Sequence, residues 1–139
     1  MGFREISQIA GSAMTAQSTR LNAVASNLAN AGAAASSEAE AYKARKPVFA
    51  AVMGESNLQS YAARVQVLDV LETTEPVRKA YEPENPLADA EGNVYYSNVN
   101  TVAEMTDMMS ASRAFETNVE VLGRVRSMQQ SLLKLGENA

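Results

Sequence analysis

The sequence predicts an α+β fold in which long N- and C-terminal helices pair as a coiled coil and a small β-rich unit lies between them. Apolar residues recur every three or four positions near both ends of the 139-residue chain, which is the spacing of one helix face. Short β-branched and aromatic runs, and all four prolines, fall between these ends, as in strands and turns. We therefore predict an N-terminal helix and linker (1–41), a β unit (42–97) and a C-terminal helix (98–139), with both helices in one axial domain.

The first helix is predicted to run from Ile6 to Ala31. Its apolar and small residues form one narrow stripe: Phe3, Ile6, Ala10, Ala13, Met14, Gln17, Leu21, Val24, Leu28 and Ala31. Asn30, Ala31 and Gly32 predict its end. Residues 33–41 contain few large apolar side chains, so we expect a flexible connection or a frayed helical extension there.

The middle of the chain contains three runs of strand length, at residues 48–52, 64–71 and 94–96. Their valines, leucines and aromatic residues favour strands. Residues 54–57 read as a loop between the first two, because Gly, Glu, Ser and Asn are typical of turns. So few strands would not be very stable alone.

The second helix is predicted from Val102 to Leu135. Thr101 to Glu104 matches a capping box, and Gly136 is placed to end the helix. The predicted apolar seam consists of Met105, Met108, Ser112, Phe115, Val119 and Leu122, followed by Val125, Met128, Leu132 and Leu135. The step from Leu122 to Val125 breaks the heptad phase, as a stutter does.

Both stripes are narrow, which is typical of coiled-coil seams rather than of helices that cover a globular core. The helices would be about 40 and about 50 Å long, too long for the β unit to bury. They must therefore pack on each other or on another chain. A self-contained helical hairpin and a seam exposed until assembly both fit. The polar residues Gln17, Asn27, Arg126 and Gln129 could fix register between helices or lie in water.

The composition excludes several classes of function. The chain has no His and no Cys, so catalytic triads, Cys nucleophiles, zinc sites of thiolate or imidazole and disulfides are excluded. A net charge of -4 has the wrong sign for nucleic acid. No stretch approaches the roughly 18 apolar residues of a membrane span, and no apolar signal-peptide region follows the first residues. We expect no enzyme, cofactor, nucleic-acid partner, membrane insertion or cleavable signal.

One dense acidic group, Glu82, Glu84, Asp89 and Glu91, could supply a glycosidase carboxylate pair or ligands for a hard cation. It lacks EF-hand spacing, and a Pro-rich turn offers no visible cleft to raise one pKa. We interpret it as a solvated turn. Residues 42–46 form a small basic cluster, a weak candidate for docking on an acidic neighbour.

Three stretches together resemble the bacterial flagellar basal-body rod proteins. Residues 21–30 are similar to the N-terminal signature of rod and hook axial proteins. Residues 81–94 are similar to the Y-E-P-x-x-P-x-A-D-x-x-G-x-V block of a proximal-rod subgroup. Residues 98–118 are similar to the C-terminal N-V-x-x-x-x-E-M and S-x-R-x-[FY]-x-x-N pattern. Glu84, Asn93 and Ser97 depart from the usual residues, but only in the middle unit.

The resemblance implies a structural subunit of the rod that crosses the periplasm, exported through the flagellar type III apparatus without a cleavable signal peptide. It implies paired terminal helices that stack with copies of the chain and with other rod and basal-body proteins. The residues expected at the assembly interface are Leu21, Val24, Asn27, Leu28, Asn30, Met105, Met108, Arg113, Phe115, Asn118 and Leu122.

Two other functions stay open at this point. A type III secretion-linked chaperone or adaptor would use the Met-rich helix to bind a partner's amphipathic helix. A stable soluble complex at low concentration would favour that reading over a polymer. A carboxylate enzyme acting on cell-wall sugar would depend on Glu82 or Asp89.

Overall fold

The computed structural model describes residues 2–53 and 63–137. Two long helices frame five strands in sequence: α1 (Phe3–Ala29), β1 (Ala34–Ala35), β2 (Arg45–Met53), β3 (Ala63–Glu72), β4 (Arg78–Tyr81), β5 (Asn93–Tyr96) and α2 (Thr101–Glu137). Helix α1 packs against α2 and against strands β2 and β3. The predicted α+β class, with paired terminal helices and a β-rich middle, is confirmed.

The strands form two antiparallel sheets. Strands β2 and β3 pair as a hairpin whose register shifts between Val48 and Phe49. Strand β5 is the centre of a second sheet, with β1 on one side and β4 on the other. The predicted runs at 48–52, 64–71 and 94–96 lie within β2, β3 and β5. Strand β4 was not predicted, and the predicted loop at 54–57 lies outside the described residues.

The segment after α1 joins the second sheet instead of forming only a connection. Ala34 and Ala35 pair with Tyr96 and Tyr95 of β5. The Ser97 hydroxyl donates a hydrogen bond to the carbonyl oxygen of Ala31 over 2.7 Å. Because β1 contributes only two alanines, its sequence carries no strand signal. The division of the chain into three parts stays a prediction.

The C-terminal end of α1 agrees with the sequence, but α1 begins at Phe3 and not at the predicted Ile6, and both ends of α2 differ from the prediction. Helix α1 ends at Ala29 with Asn30 as its C-cap, as the turn residues predicted. At the start of α2, the side-chain oxygen of Asn100 accepts a hydrogen bond from the Ala103 amide over 3.1 Å, as an N-cap does. Asn100 thus replaces the predicted capping box. The cap predicted at Gly136 is wrong, because α2 continues to Glu137.

The two helices are antiparallel. Asn27, near the end of α1, donates a hydrogen bond to Glu104, near the start of α2. Arg20, two turns earlier on α1, pairs with Asp107, which lies later on α2. Helix α2 has 37 residues and α1 has 27. The longer helix therefore extends beyond the start of the shorter one.

The buried positions of α2 form one unbroken heptad seam. Glu104, Ala111 and Val125 are buried, and their spacings of seven and fourteen residues keep one phase. The predicted stutter is therefore absent from the described seam. Met105 and Val119, which were predicted on the seam, are 56% and 46% exposed. The seam is displaced toward Ala111 because α1 approaches with its own small residues, Ala10, Ala16, Ala23 and Val24, which are buried.

Candidate assembly surface

Asn27 connects the two helices to the chain that enters β2. Its side-chain oxygen accepts from the Arg45 amide at 2.8 Å and from the Tyr42 hydroxyl at 3.0 Å. Its side-chain nitrogen donates to the Arg45 carbonyl at 2.9 Å and to the Glu104 carboxylate at 3.0 Å. Asn27 is fully buried, and buried amides are tolerated when their polar atoms are paired. Asn27 therefore links α1 to the start of α2 and to the start of β2 within one chain.

A charged pair lies beside this connection. The Arg20 guanidinium donates to both oxygens of the Asp107 carboxylate, and this hydrogen bonding raises the pKa of Arg20. The pair, together with Lys46, Phe49 and Glu104, lines an open cleft between the helices and β2. Positive and negative groups balance along its wall, so the cleft shows no net preference for an anion or a cation.

The acidic loop uses Asp89 to organise its own backbone. Its carboxylate accepts from the amides of Glu91 at 2.9 Å and Asn93 at 2.8 Å, and from the Tyr95 hydroxyl at 3.1 Å. These bonds favour the charged form, chiefly through the Asn93 amide, and lower the pKa of Asp89. The carboxylate thus stabilises the turn that leads into β5.

Glu82 has the same structural role at the other side of the loop. Its carboxylate accepts from the Asn85 side-chain amide at 2.9 Å and from the Tyr96 hydroxyl at 3.0 Å. The bond from Asn85, then the one from Tyr96 and the nearby positive charge of Arg78 lower the pKa of Glu82. A lowered pKa is the opposite of what a glycosidase general acid needs. The geometry therefore gives no support to a carboxylate enzyme at Glu82 or Asp89.

The loop also requires a glycine. Gly92 has a φ of 81°, which side chains rarely adopt. A Cβ atom there would lie 2.9 Å from the Tyr81 ring and 3.2 Å from the Pro83 side chain. Within residues 2–53 and 63–137, no group of acidic residues is arranged to hold a metal ion.

The end of α2 exposes an apolar row that continues the helix seam. Val121, Val125, Met128, Leu132 and Leu135 follow steps of four and three residues, which keep them on one helix face. Val121 is half-buried and Val125 is buried, whereas all residues from 126 to 136 are exposed. The exposed fractions of Met128, Leu132 and Leu135 are 48%, 54% and 69%. We call these three residues the overhang row.

A second apolar row lies at the start of α2. Val102, Met105 and Met109 are also spaced by three and four residues, and they are 72%, 56% and 59% exposed. They lie on the side of α2 that is turned away from the buried seam. We call these three residues the outer row. Apolar surface that is grouped in this manner marks interaction sites more often than scattered single residues do.

The predicted assembly residues fall into three settings. Val24 and Asn27 are buried inside one chain, and their contribution to assembly can only be indirect. The half-buried ones are Leu21, Leu28, Asn30, Met108, Phe115, Asn118 and Leu122. Met105 and Arg113 are exposed. Nine of the eleven predicted residues are thus buried or half-buried in the single chain, and Met105 and Arg113 are exposed.

The list of expected interface residues did not include the overhang row or Val102 and Met109, although the sequence placed Met128 on the predicted seam of α2. Leu132 and Leu135 were placed on a seam, but nothing predicted which part of that seam α1 would cover. The signal that could have found them is the unequal length of the helices. An antiparallel partner of 27 residues cannot cover 37.

No helix within the described residues is long and apolar enough to cross a bilayer. Residues 8–32, which include most of α1, match the family model described as flagella basal body rod protein. Residues 90–135 match the model described as flagellar basal body rod FlgEFG protein C-terminal. These two regions contain most of the antiparallel helix pair and all of strand β5.

Curated relatives match almost the whole chain. The flagellar basal-body rod protein FlgC of Escherichia coli O6:H1 is 48% identical over 139 residues, which covers 99% of this chain and all of the relative. The FlgC proteins of Salmonella typhimurium and Yersinia enterocolitica are 45% and 40% identical over the same shares. With identities at this level over the full length of its relatives, the chain belongs to the family of flagellar basal-body rod proteins, among the FlgC proteins.

Proposed function

We propose that this chain is a structural subunit of the proximal part of the flagellar rod and that it assembles through its terminal helices into the axial drive shaft. The observation that carries the proposal is the overhang row on α2, which continues the intramolecular seam beyond the end of α1. Its large side chains are exposed in the single chain. A further helix would bury them, and the names of the relatives indicate the assembly in which this happens.

Burial of the overhang row would supply free energy that the single chain lacks. Full burial of a Leu or Met side chain contributes about 1.5–3 kcal/mol. Six of the nine buried apolar residues in the described part are alanines, which bury little area each. A chain of this kind gains much of its apolar burial on association, which suits a subunit that is stored as a monomer and ordered in a polymer.

The partners in this proposal are copies of the chain and other rod and basal-body proteins. The site of action is the basal body, where the rod crosses the periplasm, and the route is the flagellar type III export apparatus without a cleavable signal peptide. No catalysis, nucleic-acid binding or membrane insertion is part of the proposal. The internal hydrogen bonds of Glu82 and Asp89 support a non-enzymatic role.

The proposal includes all the predicted interface residues. Met105 and Arg113 are offered for direct contacts, since both are exposed. Leu21, Leu28, Asn30, Met108, Phe115, Asn118 and Leu122 are offered at the edges of the helix pair, and Val24 and Asn27 as the residues that hold it in shape. The relatives do not favour the alternative of a secretion chaperone or adaptor.

The test is deletion of the gene in its own bacterium, with electron microscopy of isolated basal bodies. We expect basal bodies without a complete rod and cells that do not swim. The full chain supplied from a plasmid should restore both. A chain that ends after Val125 should be folded by circular dichroism but should not restore rods. Cells that still swim after the deletion would contradict the proposal.

A further inference from the structure

Methionine supplies all the sulfur in this chain. The sequence has seven methionines but no cysteine, tryptophan or histidine, so a methionine thioether is its most readily oxidised group. Among the described residues, Met14 and Met108 are half-buried. The exposed methionines are Met53, Met105, Met109 and Met128. Because an oxidant must reach the sulfur atom, the structure divides the methionines into shielded and accessible ones.

Two of the accessible methionines make up most of the outer row. Met105 and Met109 are 56% and 59% exposed, and residues four apart on a helix are neighbours on its surface. The overhang row instead contains one methionine and two leucines, and leucine has no atom that peroxide readily oxidises. The two apolar rows of α2 therefore differ in their sensitivity to oxidation.

We propose that the outer row is an oxidation site, at which hydrogen peroxide converts Met105 and Met109 to methionine sulfoxide and thereby prevents assembly of the subunit. The proposal rests on the proposed function, because it concerns a surface that assembly would bury. The thioether sulfur attacks one peroxide oxygen, the O–O bond breaks and an S–O bond forms. The proton on the transferred oxygen passes to the departing hydroxide, which gives water. The sulfur thus loses two electrons, and the peroxide gains them.

The sulfoxide makes an apolar surface polar. Its oxygen is a hydrogen-bond acceptor, and burial of a polar group without a partner costs free energy. Two neighbouring sulfoxides would therefore oppose any apolar surface that covers the outer row. Because neither side chain is buried in the single chain, oxidation should leave the fold intact. Methionine sulfoxide reductases reverse the reaction with thiols as the reductant, so the block on assembly is reversible.

Met108 provides an internal comparison for the chemistry. It directly precedes Met109, but successive helix residues point about 100° apart, and Met108 is half-buried. In the folded chain, one position in the sequence therefore separates a shielded sulfur from an accessible one. In the unfolded chain the two sulfur atoms should be equally accessible.

Peptide mass spectrometry of the purified full chain, treated with dilute hydrogen peroxide, tests the site. We expect Met105 and Met109 to gain one oxygen atom several-fold faster than Met108, with an unchanged circular dichroism spectrum. The same treatment in urea is the control and should make the three rates equal. Equal rates at Met108 and Met109 in the folded chain, or loss of helix signal as Met105 and Met109 are oxidised, would overturn the site.

Glutamine variants test the consequence for assembly. M105Q/M109Q imitates two sulfoxides, because an amide has similar size and polarity. Supplied from a plasmid to the deletion strain, it should give a folded chain but no rods. M105L/M109L keeps both side chains apolar and should restore rods. The matched control is M53Q/L68Q, which changes two exposed apolar residues of the hairpin and should also restore rods.

The same strains separate this proposal from the proposed function. Rods restored by M105Q/M109Q would reject the effect of oxidation and leave the function standing. Loss of rods in M105L/M109L would mean that the methionines themselves, and not the polarity of the row, are required. Equal loss in M53Q/L68Q would mean that polarity anywhere on the surface prevents assembly. Failure of the unaltered chain to restore rods would reject the function itself.

Discussion

The covered and the uncovered parts of α2 use different side chains on what is one continuous seam. Where α1 covers the helix, the buried residues include Glu104 and Ala111, which are a paired carboxylate and a methyl group. Beyond α1, the seam carries Met128, Leu132 and Leu135, all exposed. Small residues permit the close approach of a helix in the same chain. Large apolar residues contribute more free energy when another chain buries them, because they have more apolar area. The fully buried residues of the covered part are thus no larger than valine apart from the paired Glu104, and the exposed row beyond it consists of Met and Leu.

The covered part depends on polar pairing more than on apolar area. Among the described residues, only three buried apolar side chains are larger than alanine, namely Val24, Val94 and Val125. Asn27 is among the largest fully buried side chains. A core with so little apolar volume should lose much of its stability when one polar connection is removed.

The largest expected effect is that of Asn27→Ala. The substitution leaves the Arg45 backbone groups and the Glu104 carboxylate without the side chain that binds them. We expect the free energy of unfolding to fall by about 3 kcal/mol, measured by urea denaturation of the full chain. Asn22→Ala, at an exposed position of the same helix, should change it by less than about 0.5 kcal/mol. Equal effects would show that Asn27 is not the connection.

The next effect comes from a larger residue in the covered seam. Ala111 is fully buried, so Ala111→Leu must push the helices apart. We expect a loss of about 1–3 kcal/mol in the free energy of unfolding, whereas Ala25→Leu at an exposed position of α1 should have little effect. A stabilised Ala111→Leu variant would mean that the covered seam accepts large residues and differs from the overhang only in having a partner.

The sequence predicted the elements better than their contacts. The periodicity of the two ends predicted α1 and α2, since three- and four-residue spacing is a local property. Strand β4 was missed because Arg78–Tyr81 has only four residues and two of them are charged. Strand β1 was missed because alanine favours helices. Both strands form because each pairs with β5, and this pairing depends on the tertiary structure.

The buried seam of α2 differs from the predicted seam for a related reason. Pattern reasoning assigns large apolar residues to the interface, and it therefore chose Met105 and Val119 over Glu104 and Ala111. The structure reverses this choice because Glu104 has a buried partner in Asn27 and Ala111 meets a helix rich in small residues. Partners on a distant segment do not appear in the spacing of one helix. For the same reason, the spacing of α2 alone could not predict where the covered seam ends and the overhang row begins.

A smaller effect of opposite sign is expected at Gln17, the polar residue on the α1 stripe. Its side-chain oxygen is buried and has no hydrogen-bond partner among the described residues. Gln17→Met removes this desolvated group at similar volume, so we expect a gain of about 1 kcal/mol in the free energy of unfolding. Gln8→Met, at an exposed position of α1, is the control and should leave stability unchanged. A destabilised Gln17→Met variant would show that the amide is needed.

The acidic loop should make the stability of the chain modestly dependent on pH, independently of the two helices. Hydrogen bonds lower the pKa of Asp89 and Glu82 in the folded chain. The folded state therefore binds fewer protons than the unfolded state, and stability falls as the pH decreases from about 4 through the folded-state pKa values. Carbon NMR titration should place both carboxyls below the range of ordinary Asp and Glu. Normal values would mean that the loop bonds do not persist in solution.

The smallest effect on the stability of the single chain is expected in the overhang row. Leu132 is 54% exposed beyond the end of α1, so Leu132→Ala removes little buried area from the monomer. The free energy of unfolding at low concentration should change by less than about 0.5 kcal/mol, while Val125→Ala, one position inside the covered seam, should cost about 1–3 kcal/mol. Association should show the reverse order, with Leu132→Ala weakening it most in sedimentation velocity. If Leu132→Ala instead unfolded the monomer, the overhang would be part of the fold, and the division of α2 into a folding half and an assembly half would be wrong.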